Sequence, residues 1–439
     1  GAGIRAGDLE LHPGIGGEIG YDSNWFLRSH KEGPTIVNAA PQAPPREGAL
    51  LRITPSFTIS TLGEQRRALA EGPAAPRVLA FRGGVSATYR EFFGAQKLRD
   101  QRNVSGTAFA RLDVNQGRPV GFAIFANYQR LIQPAVVSDP NFSFNRSDIG
   151  GGGEVSLMPG GGTLDLRGAY QLNAALFEET NGVPYTNLNH TISVRNRWRF
   201  RPRTALFHDT GLGFVTYPNS ERALNYLNDS TPLRTRFGVT GLVTERFGTT
   251  LSLGYGATFF RNPQGPGTPQ FDSVLAQAEG TFYLSPGGGT DEPGQATLLL
   301  STLSFGYIRD FQNSLLGNFY ESNKGYVRVV YFFGGRVLLQ TDGYFEAQAY
   351  PEIFYNIGGG TPVSTGVGPF TNYRVGGILF GEYRFSDSFG LNATFDYAQT
   401  ISDTQIPAGN PGAPGTAGPG LFDLNWRRFQ AFLGARWFL

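Results

Sequence analysis

Apolar side chains recur at every second position over stretches of about ten residues along most of the chain. In Phe389-Gly390-Leu391-Asn392-Ala393-Thr394-Phe395-Asp396-Tyr397, the odd positions are Phe, Leu, Ala, Phe and Tyr, while the even ones include Asn, Thr and Asp. Leu51, Ile53, Phe57 and Ile59 oppose Arg52, Thr54, Ser56 and Thr58 in the same way, and Leu164, Leu166, Tyr170 and Leu172 oppose Asp165, Arg167, Gln171 and Asn173. A period of two is the signature of a strand with one apolar and one polar face. Eighteen such segments centre near residues 15, 55, 85, 108, 124, 153, 169, 194, 210, 239, 255, 277, 302, 329, 342, 379, 394 and 431.

The connectors alternate in length. Asn115-Gln116-Gly117-Arg118, Pro159-Gly160-Gly161-Gly162, Arg201-Pro202-Arg203, Phe247-Gly248, Gly334-Gly335 and Ser386-Asp387-Ser388 are short, whereas 28–48, 351–370 and 402–420 are long. Two junctions on the short side, 63–77 and 285–294, exceed that rule. A soluble barrel or sandwich has no reason to sort its turns by length, and no repeat of propeller period occurs. The pattern predicts an all-β fold, a transmembrane antiparallel up-and-down barrel of 18 strands spanning 1–439 as a single domain in the bacterial outer membrane. Pro/Gly-rich Ile406 to Gly415 and the stretch Asn38 to Arg46 read as surface loops.

Composition narrows the class. Only 16% of residues are charged, 13% are aromatic and 61 are Gly, which fits a membrane barrel better than a soluble enzyme. No apolar run reaches the roughly 18 residues of a spanning helix. The net charge of +2 with no basic tract gives no support to a nucleic-acid partner, and the absence of Cys excludes disulfides and thiolate metal sites. The chain starts at Gly1 and its one Met is Met158, so a processed or trimmed sequence is expected.

The closing strand alternates Phe429, Ala431, Leu433, Ala435, Trp437 and Leu439 against Arg428, Gln430, Phe432, Gly434 and Arg436. It resembles the C-terminal assembly signal of bacterial outer-membrane proteins, with Phe429, Leu433, Trp437 and Leu439 as its apolar edge and Leu439 in place of the usual terminal Phe. That resemblance implies the barrel-insertion machinery as a partner, beside the outer-membrane lipids. Trp25, Trp198, Trp426 and Trp437 fall near strand ends, where amphipathic rings sit at membrane interfaces.

No metal-binding His motif, phosphate loop or nucleophile elbow occurs, and the glycine clusters at 150–153, 287–289 and 358–360 read as turns and packing relief. No cofactor, metal or catalytic residue is expected, and the protein is read as a non-enzyme. A membrane esterase would need a His-Ser pair across adjacent strands, for which His208 and Ser193 are the candidates. Iron-chelate receptors, with about 22 strands and a plug domain, do not fit this length.

What remains is a water-filled lumen. The parity opposite the apolar one places Arg167, Arg195, Arg197, Arg199, Arg234 and Arg236 inside, with Asp165, Glu279, Asp342, Glu346, Glu382 and Asp396. Only Lys31, Lys97 and Lys324 are lysines, so 34 of the 37 basic residues (37 − 3) are Arg. Ser193, Arg195, Arg197 and Arg199 form one column, and Arg234 and Arg236, two strands away, are expected at a different height. The two readings of these arginines are an anion-attracting path and a structural ladder paired to acids such as Asp165.

Gly7-Asp8-Leu9-Glu10-Leu11-His12-Pro13, then Tyr21-Asp22-Ser23-Asn24-Trp25-Phe26, then Leu51-Arg52-Ile53-Thr54-Pro55-Ser56-Phe57, resembles the opening of the beta-barrel porin-2 family, which usually carries two acidic residues before the Asn where Asp22-Ser23 stands here. The resemblance implies export of exopolysaccharide or capsule, with a polysaccharide cargo and a periplasmic polysaccharide-export protein as partner. A nutrient-uptake porin is the alternative. The long connectors do not include an early-middle constriction loop of the general-porin kind, which favours export.

Overall fold

A computed structural model describes residues 3–30, 46–61, 78–132, 145–179, 183–220, 227–260, 270–284, 301–314, 318–355, 363–364, 366–386, 388–407 and 421–438. The strands run in chain order as β1 (Leu9–Asp22), β2 (Gly48–Thr61), β3 (Leu79–Phe93), β4 (Asn103–Val114), β5 (Val120–Leu131), β6 (Arg146–Leu157), β7 (Leu164–Phe177), β8 (Asn187–Arg201) and β9 (Thr204–Thr216). They continue as β10 (Ser230–Thr244), β11 (Phe247–Phe260), β12 (Asp272–Tyr283), β13 (Thr302–Asn313), β14 (Phe319–Phe333), β15 (Val337–Tyr350), β16 (Phe370–Arg384), β17 (Phe389–Ile401) and β18 (Trp426–Phe438). Each pairs antiparallel with the next, and β18 returns to β1 through the register Gly14↔Phe438 to Asp22↔Gln430. The sheet is thus a closed 18-stranded barrel, with Ile4–Ala6 as a nineteenth strand attached to β1 alone.

The period-two pattern explains the closure. Ile15, Ile19, Phe57, Val85, Ile124, Val155, Phe237, Leu253, Phe345, Leu379 and Leu433 all point outward and are exposed, which in water would be an aggregation surface and in a bilayer is the lipid-facing band. The protein is a bacterial outer-membrane barrel. Seventeen of the expected centres fall inside a strand. The one near 302 marks the first residue of β13. The long connectors 63–77 and 285–294, and Gly287 to Gly289 and Gly358 to Gly360, lie outside the described residues.

Gly150 to Gly153 form the middle of β6 and make no turn, which corrects that part of the reading, while the packing relief expected of them holds at Gly150 and Gly152, where a Cβ would strike neighbouring atoms. Glycine serves here by close approach: a Cβ on Gly306 would stand 2.6 Å from the Tyr326 hydroxyl, and one on Gly20 would lie inside the Phe432 ring, so inward aromatic rings rest on cross-strand backbone.

Short connections join β4 to β5, β6 to β7, β8 to β9, β10 to β11, β14 to β15 and β16 to β17 at one end, the periplasmic end by the barrel rule. At the other end, Trp25 after β1 and Leu98 after β3 are buried. Trp25 is buried against Phe92 at 4.7 Å between ring centroids, together with Leu50, Leu98 and Phe432, so it is a packing residue and not an interfacial ring. Trp198 and Trp437 do face outward near the periplasmic end. The apolar edge of the closing strand, Phe429, Leu433 and Trp437, also faces lipid, while Leu439 lies outside the described residues.

Candidate functional site

The inward face of β8 carries Asn187, Asn189, Thr191, Ser193, Arg195, Arg197, Arg199 and Arg201, a polar side chain at every inward position from the outer end to the periplasmic end. Its outward face carries the exposed Ile192, Val194, Trp198 and Phe200. Strand alternation therefore turns one sequence into two surfaces, as the pattern predicts.

At the outer end this strip lines a recess of about 480 Å³ whose walls include Asn127, Gln129, Asn173, Asn187, Asn189 and Asn313, with Phe177 and Tyr217 at its side. The Gly150 backbone lies between the Asn127 and Asn173 carboxamides, and a side chain there would collide with both. Gln171 donates to Asn173 Oδ1 at 2.9 Å and Arg146 is tied to Asp148 at 3.0 Å, which fixes the wall. Carboxamides offer a donor and an acceptor side by side, the complement of a vicinal diol.

Lower on the same arc the acids are already taken. Asp165 accepts Arg167 at 2.9 Å, and Glu154 sits between Arg167 at 3.3 Å and Arg111 at 3.5 Å. Arg111 also pairs with Asp113 at 2.9 Å. Arg197 stands opposite Asp165 in the register, and Arg195 opposite Arg167 and Asp209, yet among the described residues Arg195, Arg197 and Arg199 make no ion pair, and all three are exposed. Arg197 and Arg203 line a smaller recess of about 250 Å³ with Thr240, Thr250, Thr281, Tyr283 and Glu279 at the periplasmic end.

The other sequence candidates are engaged. Arg234 and Arg236 both hold Asp310, at 3.1 Å from the Arg234 Nε, and the Arg234 guanidinium lies 4.0 Å from the Phe311 ring centroid. Glu382 binds Arg384 at 2.8 Å and also Arg436, and Asp342 binds Arg328. Glu279 accepts the Tyr326 hydroxyl, Glu346 accepts Ser322 at 2.6 Å, and Asp396 is half-buried opposite Gln430. Arg236 is not separated from the β8 column as expected. Asp209 pairs with Arg195 on one side and Arg236 on the other, so the three share one cross-strand row. Inward aromatic rings lie under guanidinium groups: Phe432, which the alternation of the closing strand already put on the inner face, under Arg52 at 3.5 Å, and Phe125, which the sequence reading passed over, under Arg111 at 5.9 Å. The ion-paired, stacked arginines form the wall, whereas Arg195, Arg197 and Arg199 stand free of it.

His208 and Ser193 do not meet. Ser193 faces the lumen opposite Gly211, and His208 faces outward opposite Asn196, on the other side of the wall.

No family model matches the chain, and no curated protein matches it. Similar solved structures include a variant of the ferric enterobactin receptor PfeA of Pseudomonas aeruginosa with enterobactin, 12% identical with a TM-score of 0.49 over 98% of this chain and 81% of that one. OpdK of Pseudomonas aeruginosa with vanillate is 11% identical, TM-score 0.44, over 98% of each chain. A BenF-like porin from Pseudomonas fluorescens Pf-5 is 11% identical, TM-score 0.46, over 99% of each. These are outer-membrane barrels, and the fold assignment rests on the closed sheet itself. The amino-terminal resemblance to the porin-2 family has no family match behind it.

Proposed function

We propose that the barrel is an outer-membrane channel through which an acidic polysaccharide leaves the cell. The observation that carries this reading is the inward face of β8, polar at every position across the membrane. A glycan passing along it exchanges water for carboxamide partners at the outer recess and, nearer the periplasm, meets guanidinium groups that take carboxylates in bidentate fashion. Free arginines in a confined passage also raise the local concentration of anions. The periplasmic end, where Arg201 and Arg203 flank a short turn, is where a periplasmic polysaccharide-export protein would hand over the chain.

A strain lacking the protein tests this. Extracellular acidic glycan is expected to disappear while uptake of small sugars and aromatic acids stays at the parental rate. Normal surface glycan in that strain, or lost uptake with glycan retained, overturns export in favour of a nutrient-uptake porin.

A further inference from the structure

On the outer wall, four polar side chains interrupt the lipid-facing band. His208 on β9 lies in one cross-strand row with Asn196 on β8 and Phe237 on β10, and Thr210, in the next outward row, is opposite Thr235. Around them Ile192, Val194, Trp198, Leu206 and Phe237 are exposed and apolar. Polar groups facing hydrocarbon are costly unless they satisfy one another, and such groups commonly mark function.

Their arrangement is a hydroxyl, an imidazole and a carboxamide in series. Thr210 Oγ1 is 2.7 Å from His208 Nε2, and the Asn196 carboxamide is 3.2 Å from His208 Nδ1. A half-turn of the carboxamide puts its oxygen at Nδ1, where it accepts the Nδ1 proton and leaves Nε2 as a bare acceptor for the Thr210 hydroxyl. Phe237 stacks on the imidazole at 4.3 Å and 19°, fixing the ring plane. Thr235 Oγ1 lies 2.9 Å from Thr210 Oγ1 and 3.2 Å from His208 Nε2, so a second hydroxyl stands beside the first, with Thr210 the nearer of the two to the imidazole. Nucleophile, base and orienting group are thus within the reach that covalent catalysis requires. The depth also suits an ester. Trp198, one row nearer the periplasm, marks the interface, and each row adds about 5 Å of depth for a strand tilted by about 40°. The acyl ester carbonyls of a glycerophospholipid lie just below its headgroup, at that level.

We propose that this cluster is an acyl-ester hydrolase site for glycerophospholipids of the inner leaflet, independent of what crosses the lumen. Thr210 Oγ bonds to the ester carbonyl carbon as its proton passes to His208 Nε2, and the carbonyl oxygen, now negative, accepts the Thr235 hydroxyl. The carbon–oxygen bond to glycerol breaks, and the glycerol oxygen takes the proton from Nε2, releasing lysophospholipid. Water from the interface then adds to the acyl-threonine, losing a proton to Nε2. Collapse releases the fatty acid as Thr210 Oγ recovers that proton. Asn196 is a positioning residue acting through the imidazole.

The full chain in liposomes of palmitoyl-oleoyl phosphatidylethanolamine is assayed for free fatty acid and lysolipid, and treated with a fluorophosphonate followed by peptide mass mapping. Release is expected from the wild type, with the adduct on Thr210. Thr210→Val and His208→Gln should lower release by on the order of 10²-fold or more, and Thr210→Ser should retain it. Asn196→Asp, which keeps an acceptor at Nδ1, should retain turnover. Asn196→Leu should abolish it. Ion conductance, set on the other side of the wall, should stay at the wild-type value throughout. Fatty acid at background from folded wild type, absence of an adduct on Thr210, or release unchanged in Thr210→Val each overturns the proposal. Background release from the folded wild type together with an altered oligomer in Thr210→Val assigns the cluster to contact between copies of the chain.

Discussion

Replacing Arg195, Arg197 and Arg199 by Gln removes three charges from one inward column without breaking any described ion pair. Same-face residues on a strand are about 7 Å apart, so an ion at the middle of the column lies near all three. At about 7 Å in a water-like dielectric each guanidinium contributes roughly 0.6 kcal/mol, which a Debye length of about 10 Å at 0.1 M salt halves to roughly 0.3. The sum, about 1 kcal/mol, favours an anion and disfavours a cation, so the anion-to-cation ratio at that level should change by about tenfold or more. Averaged over the whole passage, the permeability ratio from reversal potentials in planar bilayers should fall a few-fold at 0.1 M. The difference should vanish near 1 M salt, where the screening length is about 3 Å. The melting temperature should hold, because exposed substitutions that break no contact usually stay within about 0.5 kcal/mol. An unchanged reversal potential at 0.1 M, or unchanged selectivity with a lowered melting point, refutes the path reading and leaves a ladder.

Arg167→Gln should behave in the opposite way, lowering barrel stability through the loss of Asp165 and Glu154 with little change in selectivity, as read by urea unfolding in lipid. Asp22, buried at the seam between β1 and β18, accepts Arg428 at 3.0 Å and Gln430 at 2.7 Å; Asp22→Ala should cost about 3–5 kcal/mol by stranding the guanidinium, and a double-mutant cycle with Arg428→Ala that proves additive would exclude the coupling. Gly150→Val should displace the Asn127 and Asn173 carboxamides and weaken any glycan-induced block of single-channel current, leaving conductance in simple salt largely intact. At the outer rim, the hydrogen bond from Arg130 holds the Glu178 carboxyl below its ordinary range, against the opposing effect of burial and with a smaller contribution from the Arg130 charge. The stability this contributes is therefore present above the unfolded carboxylate pKa and lost as pH falls through the lower folded value, so the small stability difference from Glu178→Gln should close in acid.

Strand number, facing and connector rhythm were legible because a half-lipid, half-water strand must alternate, and that constraint is local in sequence. Phe389 to Tyr397 shows its two faces without any partner being known. What failed was non-local. Trp25 reads as an interfacial ring until the turn after β1 folds it against Phe92. Gly150 to Gly153 reads as a turn because nothing nearby in sequence shows that the carboxamides of β5 and β7 close over it. Sorting the arginines required the same knowledge, since Arg234 and Asp310 meet across 76 positions and no spacing rule links them. His208 was singled out but paired with the wrong hydroxyl. Thr210, two residues along the same strand, shares its face by the period-two rule, whereas Ser193 sits on the opposite face, so the signal was present in the alternation already used.

The sequence Arg195-Asn196-Arg197-Trp198 has lumen and lipid surfaces interleaved residue by residue, which makes the register of β8 a functional quantity. A slip of one position would carry every inward side chain outward. Turning three guanidinium groups into hydrocarbon would cost roughly 2–4 kcal/mol for each one near the midplane and less toward the interface, while Ile192, Val194 and Trp198 would lose their lipid contact. The slipped barrel is thus excluded by the same arginines that line the native passage. The irregularities in the β8–β9 pairing at Thr204 to Leu206, opposite Arg199, and in the β10–β11 pairing at Leu242 to Thr244 lie at the periplasmic ends of these hairpins, so the register is adjusted at the lower end of the column and left uninterrupted beside Arg195 and Arg197. The charge that lines the lumen therefore also specifies the fold of the wall that holds it. Substituting the column with Gln should leave the native state as stable as before and reduce its advantage over misregistered pairing, an effect that belongs to folding yield and not to the melting temperature.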